Sequence, residues 1–299
     1  MEKALPVILD TDIGDDIDDT WALAMMLKSP ELDVKMVMSA TGDTAYRARI
    51  IAKMLEVAGR TDIPVGVGTR DNDKTEHRQD KWIADYQLVQ YPGTVHEDGV
   101  AALIDFIMTS PTPITVISIG PLTNIADALE REPRIAEKAR FIGMHGSIHR
   151  EHEGKEGAIA EWNVVCNVPA AQKVFTAPWP MTITPLDTCG NVILRGEKYQ
   201  AVCDCPDPLT RAVIENYRIW SANGGWVDAS ERSSILYDTV AVYLAISHRY
   251  LQVVPMSIRI RDDGFMVEDP SAKVVDVALN WEDLPAYEDF LVARLTGKA

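Results

Sequence analysis

Leu9-Asp-Thr-Asp-Ile-Gly-Asp-Asp-Ile-Asp-Asp-Thr-Trp21 places six aspartates, at positions 10, 12, 15, 16, 18 and 19, within ten residues. Immediately before it, Pro6-Val-Ile-Leu9 is a short unbroken apolar run, the pattern of a parallel strand covered on both faces. Immediately after it, Trp21 to Leu27 is apolar all round, which fits a buried helix. The acidic run therefore links a buried strand to a buried helix, turning at Gly14 and entering the helix near Asp18.

Working outward, the same alternation continues. Strands are expected at 34–39, 64–68, 114–119, 141–144 and 181–184, and helices at 45–58, 99–109 and from Leu122 to Leu129. Gly59 fits the end of the second helix, and Gly120-Pro121 breaks the strand before it. His96-Glu-Asp-Gly99 reads as the entry to a helix. A long helix is expected over 233–250, two or three strands over 251–279 with a turn at Asp262-Asp263-Gly264, and a closing helix over 281–295. Such alternation predicts an α/β fold: one open, mostly parallel, Rossmann-like sheet flanked by helices, as a single domain over residues 1–299. Ligands of such sheets lie beyond the carboxyl ends of the strands, where the aspartates are.

Composition narrows the function. The chain has 299 residues, 46% hydrophobic, with 45 acidic and 29 basic residues and a formal net charge of −16. So acidic a chain argues against nucleic-acid and membrane partners, whose surfaces are anionic. No apolar run reaches the ~20 residues of a membrane span. The four cysteines, Cys166, Cys189, Cys203 and Cys205, form neither a CxxC pair nor a zinc-ribbon spacing. Together with the lack of an apolar leader before Pro6, they point to a cytoplasmic protein with inert thiols.

One aspartate at a helix start is a cap and needs no further role. Six in ten residues repel one another, raise each other's pKa and cost stability unless protons or a cation compensate. Carboxylates are hard ligands suited to Ca²⁺ or Mg²⁺. The spacing is not that of an EF-hand loop.

Further blocks follow: Thr41-Gly-Asp43, Gly120-Pro-Leu-Thr-Asn-Ile-Ala126, Met144-His-Gly146, Glu161-Trp-Asn163, Pro169-Ala-Ala171, Pro185-Leu-Asp187 and Tyr237-Asp238. With Asp10-Thr-Asp12-Ile-Gly14 and Asp18-Asp19-Thr-Trp-Ala-Leu23, they resemble, in order, the inosine–uridine nucleoside hydrolase family. The resemblance covers residues 5 to about 245 and implies a calcium-dependent hydrolase of an N-ribosidic bond. It implies that Asp12 binds Ca²⁺ and takes a proton from the attacking water. It assigns Asp19, the Thr123 carbonyl and Asp238 to the metal, and Asp18, Asp43, Glu161 and Asn163 to the ribose. It also implies a homodimer or homotetramer acting on a small riboside. The chemistry is coherent, because carboxylates stabilise an oxocarbenium-like sugar and a cation lowers the pKa of water.

The sequence departs from the family pattern in places. Two additional residues separate Asp12 from Asp18-Asp19, which leaves Asp16 open as ligand or base and gives Asp15 to loop ordering. Tyr237 stands where many members carry the histidine that protonates the leaving base, and a phenol with pKa about 10 is a poorer acid at neutral pH than an imidazole near 6.5. Lys155 and Asp43 each stand in place of an asparagine. His145, His149 and His152 fall in a loop and read as pocket or surface histidines rather than a second metal site. Strand-like alternation would turn Trp162 into the core, away from Glu161 and Asn163. Trp226, after Asn223-Gly-Gly225, suits a loop over the site, and Asn124 suits a support of the metal loop. Two rival readings remain. One is a haloacid-dehalogenase-type phosphohydrolase with Asp10 as nucleophile. The other is a calcium-dependent riboside-binding protein without turnover.

Overall fold

The computed structural model describes residues 4–298. The lead-in through Met1, Glu2 and Lys3 lies outside the described residues. Strand β1 (Leu5–Thr11) is followed by α1 (Asp18–Leu27), β2 (Leu32–Ser39), α2 (Thr44–Val57), β3 (Val65–Gly66), β4 (Val95–His96) and α3 (Gly99–Thr109). Next come β5 (Ile114–Ser118), α4 (Thr123–Arg131), α5 (Ile135–Lys138), β6 (Ala139–Met144), α6 (Trp162–Val165), α7 (Val168–Thr176) and β7 (Met181–Thr184). The chain then forms α8 (Leu186–Cys189), α9 (Gly196–Cys203), α10 (Pro208–Ala222), α11 (Tyr237–Leu244), β8 (Leu251–Ile260), β9 (Met266–Glu268), β10 (Val274–Trp281) and α12 (Leu284–Thr296).

All ten strands join one sheet in the order β4-β3-β2-β1-β5-β6-β7-β10-β8-β9. Neighbours from β4 through β7 to β10 run parallel, and β8 and β9 complete it antiparallel. β1 is buried on both faces: Val7 and Leu9 enter one hydrophobic core and Ile8 the other. That is why its sequence is continuously apolar rather than alternating. From β1 the chain first builds outward through β2, β3 and β4, then returns to place β5 on the other side. The reversal opens a crevice at the carboxyl ends of β1 and β5.

The mostly parallel α/β architecture agrees with the sequence reading, but several helices differ, and α7 and α9 were not among those expected. The expected helix over 233–250 is only the eight residues of α11. The amides of Ser233 and Leu236 donate to Leu194 and Val192 at 3.0 and 2.8 Å, so 233–236 is spent on a neighbouring segment. Beyond Leu244, the amides of Ile246 and Ser247 both fold back onto the Tyr243 carbonyl at 2.8 Å and end the helix. Conversely, the fifteen-residue α10 was not anticipated. Its start is nevertheless written in Asp207-Pro208, where the Asp207 carboxylate accepts the Thr210 amide at 3.0 Å and proline occupies the first turn. Among the described residues no helix is long and apolar enough to cross a membrane.

Candidate active site

At the end of β1 the six aspartates part company. Asp10 is fully buried and accepts from Asn124 Nδ2 at 2.8 Å and Ser118 Oγ at 3.1 Å. Asn124 also donates to the Ser39 carbonyl at 3.0 Å and accepts the Thr69 amide at 2.8 Å. It thus ties β1, β2 and the segment after β3 to α4, the supporting role expected of it. Burial lifts Asp10 to about 7. Asp10 does not line the cavity, which counts against it as a phosphohydrolase nucleophile.

The chain turns at Gly14, whose φ is +128° and where a Cβ would stand 2.6 Å from the Tyr46 ring. Arg47, 2% exposed, clamps the turn. It donates to the carbonyls of Thr41 and Ile13 at 2.9 and 3.1 Å and to Asp15 at 3.0 Å. Asp15 also accepts the Glu76 amide at 2.8 Å, so it orders the loop as its sequence position implied. The Asp16 carbonyl accepts from Gln79 Nε2 at 3.0 Å, while its carboxylate lines the cavity. Arg47 had no signature in the sequence; only the fold brings it to the loop.

Asp18 and Asp19 occupy the first turn of α1, and Asp238 that of α11, which packs against α1. One oxygen from each of these three carboxylates lies within 4.8 Å of the others. Thr11 Oγ1 donates to Asp19, and the Asp238 amide donates to Asp18 at 3.3 Å. Both helix starts favour negative charge, yet burial and mutual repulsion oppose it. Burial, followed by the charge of Asp12, raises Asp18 to about 7. Asp19 and Asp238 are pushed well above the carboxylate range by burial and by their acidic neighbours. Burial is also the main cause for Asp16, with Asp18 next, and for Asp12, which reaches about 6 although Arg47 opposes the shift. Asp12 faces the cavity beside Gly120, where a Cβ would lie 2.8 Å from Asp12 Oδ1. An all-oxygen donor set with crowded, buried negative charge fits a hard divalent cation.

Glu161 and Asn163 stand on another wall of the same cavity, which measures about 850 Å³. Glu161 caps α6, accepting the amides of Asn163 at 2.7 Å, Gly146 at 2.9 Å and Val164 at 3.3 Å. Burial nonetheless raises it to about 7. Both amide hydrogens of Asn163 are engaged by the carbonyls of Ile119 and Met144, each at 3.1 Å. Trp162 is not in the core. It is 68% exposed and lines the cavity, because the chain leaves its extended form at the Glu161 cap and Trp162 begins a helix instead of continuing a strand. Trp226 also lines it, edge-on to Trp220 at 4.8 Å with the Arg78 guanidinium 5.1 Å from its ring. Tyr237 Oη lies 2.9 Å from His152 Nδ1 on the cavity lining, and burial raises the phenol far above its ordinary value.

Asp43, Thr123 and Lys155 are not among the lining side chains. Asp43 caps α2 through the Tyr46 amide at 3.1 Å and faces His77 at 3.3 Å. Thr123 Oγ1 donates to Asp71 at 2.7 Å and accepts from Asn167 at 3.0 Å. Lys155 pairs with Glu151. His145 is buried, donates from Nε2 to the Gly120 carbonyl at 3.1 Å, and is held neutral by burial with a pKa of about 4. His149 stands half-exposed near Asp187 and Glu268. Asp187 itself, quoted above without a role, takes the amides of Ile148, His149 and Arg150 at 2.8–3.2 Å and shapes their loop.

The model of the inosine-uridine preferring nucleoside hydrolases matches residues 7–286. The chain belongs to the inosine-uridine preferring nucleoside hydrolase family. It is 30% identical over 222 residues to the pyrimidine-specific ribonucleoside hydrolase RihA of Citrobacter koseri, covering 71% of this chain and 70% of that one. The RihA of Escherichia coli O7:K1 gives the same identity and coverage. A plant nucleoside hydrolase, the PpNRh1 enzyme, shares the fold with a TM-score of 0.84 at 22% identity, over 98% of this chain and 99% of that one. The purine-preferring ribonucleoside hydrolase of Gardnerella vaginalis superposes with a TM-score of 0.77 at 22% identity, over 98% of each chain. As a nucleoside hydrolase, the protein cleaves N-ribosidic bonds by hydrolysis. The family is metal-dependent, and in this nucleoside hydrolase Asp18, Asp19 and Asp238 form an acidic group that could hold a metal ion.

Proposed function

We propose that the protein is a calcium-dependent ribonucleoside hydrolase in which Asp12, Asp16, Asp18, Asp19 and Asp238 gather the ion and the sugar, and Glu161 and Asn163 hold the ribose from the opposite wall. The observation that carries this reading is that all seven side chains line one cavity. Asp19 and Asp238, with the backbone carbonyl of Thr123 and a share from Asp12 and Asp16, are the proposed ligands. When bound, the ion supplies a positive centre that acidifies water and fixes sugar hydroxyls.

The chain's own groups divide the remaining work. Asp12 takes a proton from the attacking water on its carboxylate. Water oxygen bonds to C1′ as the C1′–N bond breaks and its electron pair passes to the base. Carboxylates around the ring stabilise the oxocarbenium-like charge. With both amide hydrogens of Asn163 engaged by backbone carbonyls, its Oδ1 is left to accept from a ribose hydroxyl. Asp18 and Glu161 accept from the others. Asp43, to which the resemblance gives a ribose contact, caps α2 and lies outside the cavity lining. Tyr237 faces the leaving base.

The four unpaired cysteines support a cytoplasmic setting, and the family resemblance supports a homodimer or homotetramer. Pyrimidine and purine ribonucleosides, the substrates named for two of the similar proteins, are the first to try. The test is release of reducing sugar from uridine, cytidine, inosine and adenosine by metal-stripped protein with and without calcium, beside Asp12→Ala. Calcium-dependent release that Asp12→Ala abolishes while its fold persists is expected. Full activity after chelation, or in Asp12→Ala, would overturn the assignment.

A further inference from the structure

We propose that Gln79 and Trp220 are positioning residues for the acidic loop: with Tyr46 and Arg47 they grip four successive backbone carbonyls and so preset the reach of Asp12 and Asp16 toward the ion. This deepens the hydrolase reading above and rests on it. Between β1 and α1 the chain turns while carrying carboxylates that repel one another, and such a loop spreads unless its peptide planes are fixed.

Each plane of the turn is fixed by a different side chain. The Ile13 carbonyl accepts from Arg47 Nη1 at 3.1 Å and the Gly14 carbonyl from Tyr46 Oη at 3.2 Å. The Asp15 carbonyl accepts from Trp220 Nε1 at 2.7 Å and the Asp16 carbonyl from Gln79 Nε2 at 3.0 Å. The donors come from α2, from the segment between β3 and β4, and from α10, and all four side chains are buried, Gln79 and Trp220 completely. None of the four lines the cavity. They act on the sugar and the ion only through the loop.

Gln79 joins the pieces. Its Oε1 accepts from Thr20 Oγ1 at 3.3 Å and from Asn216 Nδ2 at 2.8 Å, which turns its Nε2 toward the Asp16 carbonyl. Its amide donates to Tyr46 Oη at 2.9 Å, and that hydroxyl in turn donates to Gly14. Thr20 lies in α1, so one side chain ties the loop to the helix whose first turn carries Asp18 and Asp19. Asp16 Oδ1 accepts the Ile17 amide at 2.6 Å. With its carbonyl and one carboxylate oxygen both held, Asp16 keeps the other oxygen for the cavity. A cation binds most tightly when its ligands are already oriented, because less conformational freedom is then lost on binding. Removing partners that hold ligands in this way changes metal affinity about 10–100-fold.

The experiment compares wild type with Gln79→Met, Trp220→Phe and Tyr46→Phe, each of which deletes the donor and keeps most of the packed bulk. Tyr91→Phe is the control, because it deletes a buried hydroxyl that donates to the Ile63 carbonyl at 2.6 Å, away from the loop. Calcium is titrated calorimetrically into metal-stripped protein, Tm is measured with and without calcium, and kcat and KM are measured for uridine and inosine in saturating calcium. Gln79→Met and Trp220→Phe should raise the calcium Kd about tenfold or more and shrink the rise in Tm that calcium gives. Their kcat should fall about tenfold with KM held within about threefold, because Asp12 is displaced while Glu161 and Asn163 still hold the ribose. Tyr91→Phe should lower Tm equally in both conditions and leave Kd within about twofold. Tyr46→Phe, the smallest change, carries the same expectation as Gln79→Met and decides the matter if either larger change prevents folding. Unchanged Kd and kcat in the folded variants, with Tm lowered alike with and without calcium, would mark a purely structural role and overturn the inference. If wild type neither binds calcium nor cleaves nucleosides, the hydrolase reading falls and the inference with it. If wild type does both and the variants behave like Tyr91→Phe, the inference alone is wrong.

Discussion

Stripping the metal and raising the pH should loosen this protein. Asp18 is 3% exposed, and burial followed by the charge of Asp12 lifts its carboxyl to about 7 from 3.8. Between those two values the native state binds more protons than the unfolded chain, so stability falls as pH rises. The stabilising effect is fully present below the unfolded pKa and is gone once pH passes the folded one. A rise of about three pKa units is equivalent to about 4 kcal/mol for one group. Asp10 and Glu161 are lifted to about 7 and Asp12 to about 6, in each case chiefly by burial. Because the cluster members repel one another, each proton taken up relieves the rest, and the window costs several kcal/mol rather than a full share from every group. At about 2–4 °C per kcal/mol, the chelated protein should lose on the order of 10 °C in Tm between about pH 5 and about pH 8. A bound divalent cation would replace the protons as counter-charge, and at about 100 times its Kd would add about 2.7 kcal/mol. Thermal unfolding across this range, with chelator and with calcium, should give two curves that diverge as pH rises. A chelated Tm that holds level or climbs, or a calcium increment equal at both ends, would refute the reasoning.

Three substitutions probe the frame around the cluster. Gly120→Ala sets a Cβ 2.8 Å from Asp12 Oδ1 and 2.9 Å from the Asp12 amide. It should cost about 1–3 kcal/mol in urea unfolding and about 100-fold in kcat by displacing Asp12. Trp162→Ala removes a side chain 68% exposed, so stability should change by less than about 0.5 kcal/mol, while KM for nucleosides rises about tenfold in steady-state assays. Asn124→Ala strips partners from Asp10, the Ser39 carbonyl and the Thr69 amide together, and should cost about 2–4 kcal/mol in denaturant titration.

Much of this architecture is legible in the chain because its strands are short apolar runs with sharp ends. β1, β5 and β7 each fall within a residue or two of the pattern that announces them. The failures have a shared cause. Residues 233–236 carry a helical pattern, but the amides of Ser233 and Leu236 are satisfied by Leu194 and Val192, and such long-range pairing leaves no local trace. Trp162 misleads for the opposite reason: a local event, the cap made by Glu161, ends the alternation on which its burial was reckoned. The aspartates were visible as a group, but their separation into a buried staple, a loop anchor and cavity-lining carboxylates depends on Asn124, Arg47 and Glu76, which arrive from elsewhere in the chain. His152 belongs to this class, since nothing in its own loop points to Tyr237, 85 residues on.

The two ends of the cavity are built by different means, and that difference bears on what each can vary. The acidic end is assembled from the carboxyl terminus of β1 and the first turns of α1 and α11, elements whose other faces fill the main core. A change there disturbs core packing and counter-charge together. It also answers two opposed demands: helix starts attract carboxylates, whereas burial and crowding repel them, and a divalent cation reconciles the two. Another part of the lining is assembled from His152, Arg78 and Trp226 on loops, with Tyr237 reaching out from the start of its helix. Trp226 is 60% exposed and His152 lies at the mouth, so little packing depends on either. Substitutions there can therefore reshape the cavity lining without unsettling the acidic end. This explains how the sequence can depart from its family at Tyr237 while retaining Asp12, Asp18, Asp19 and Asp238.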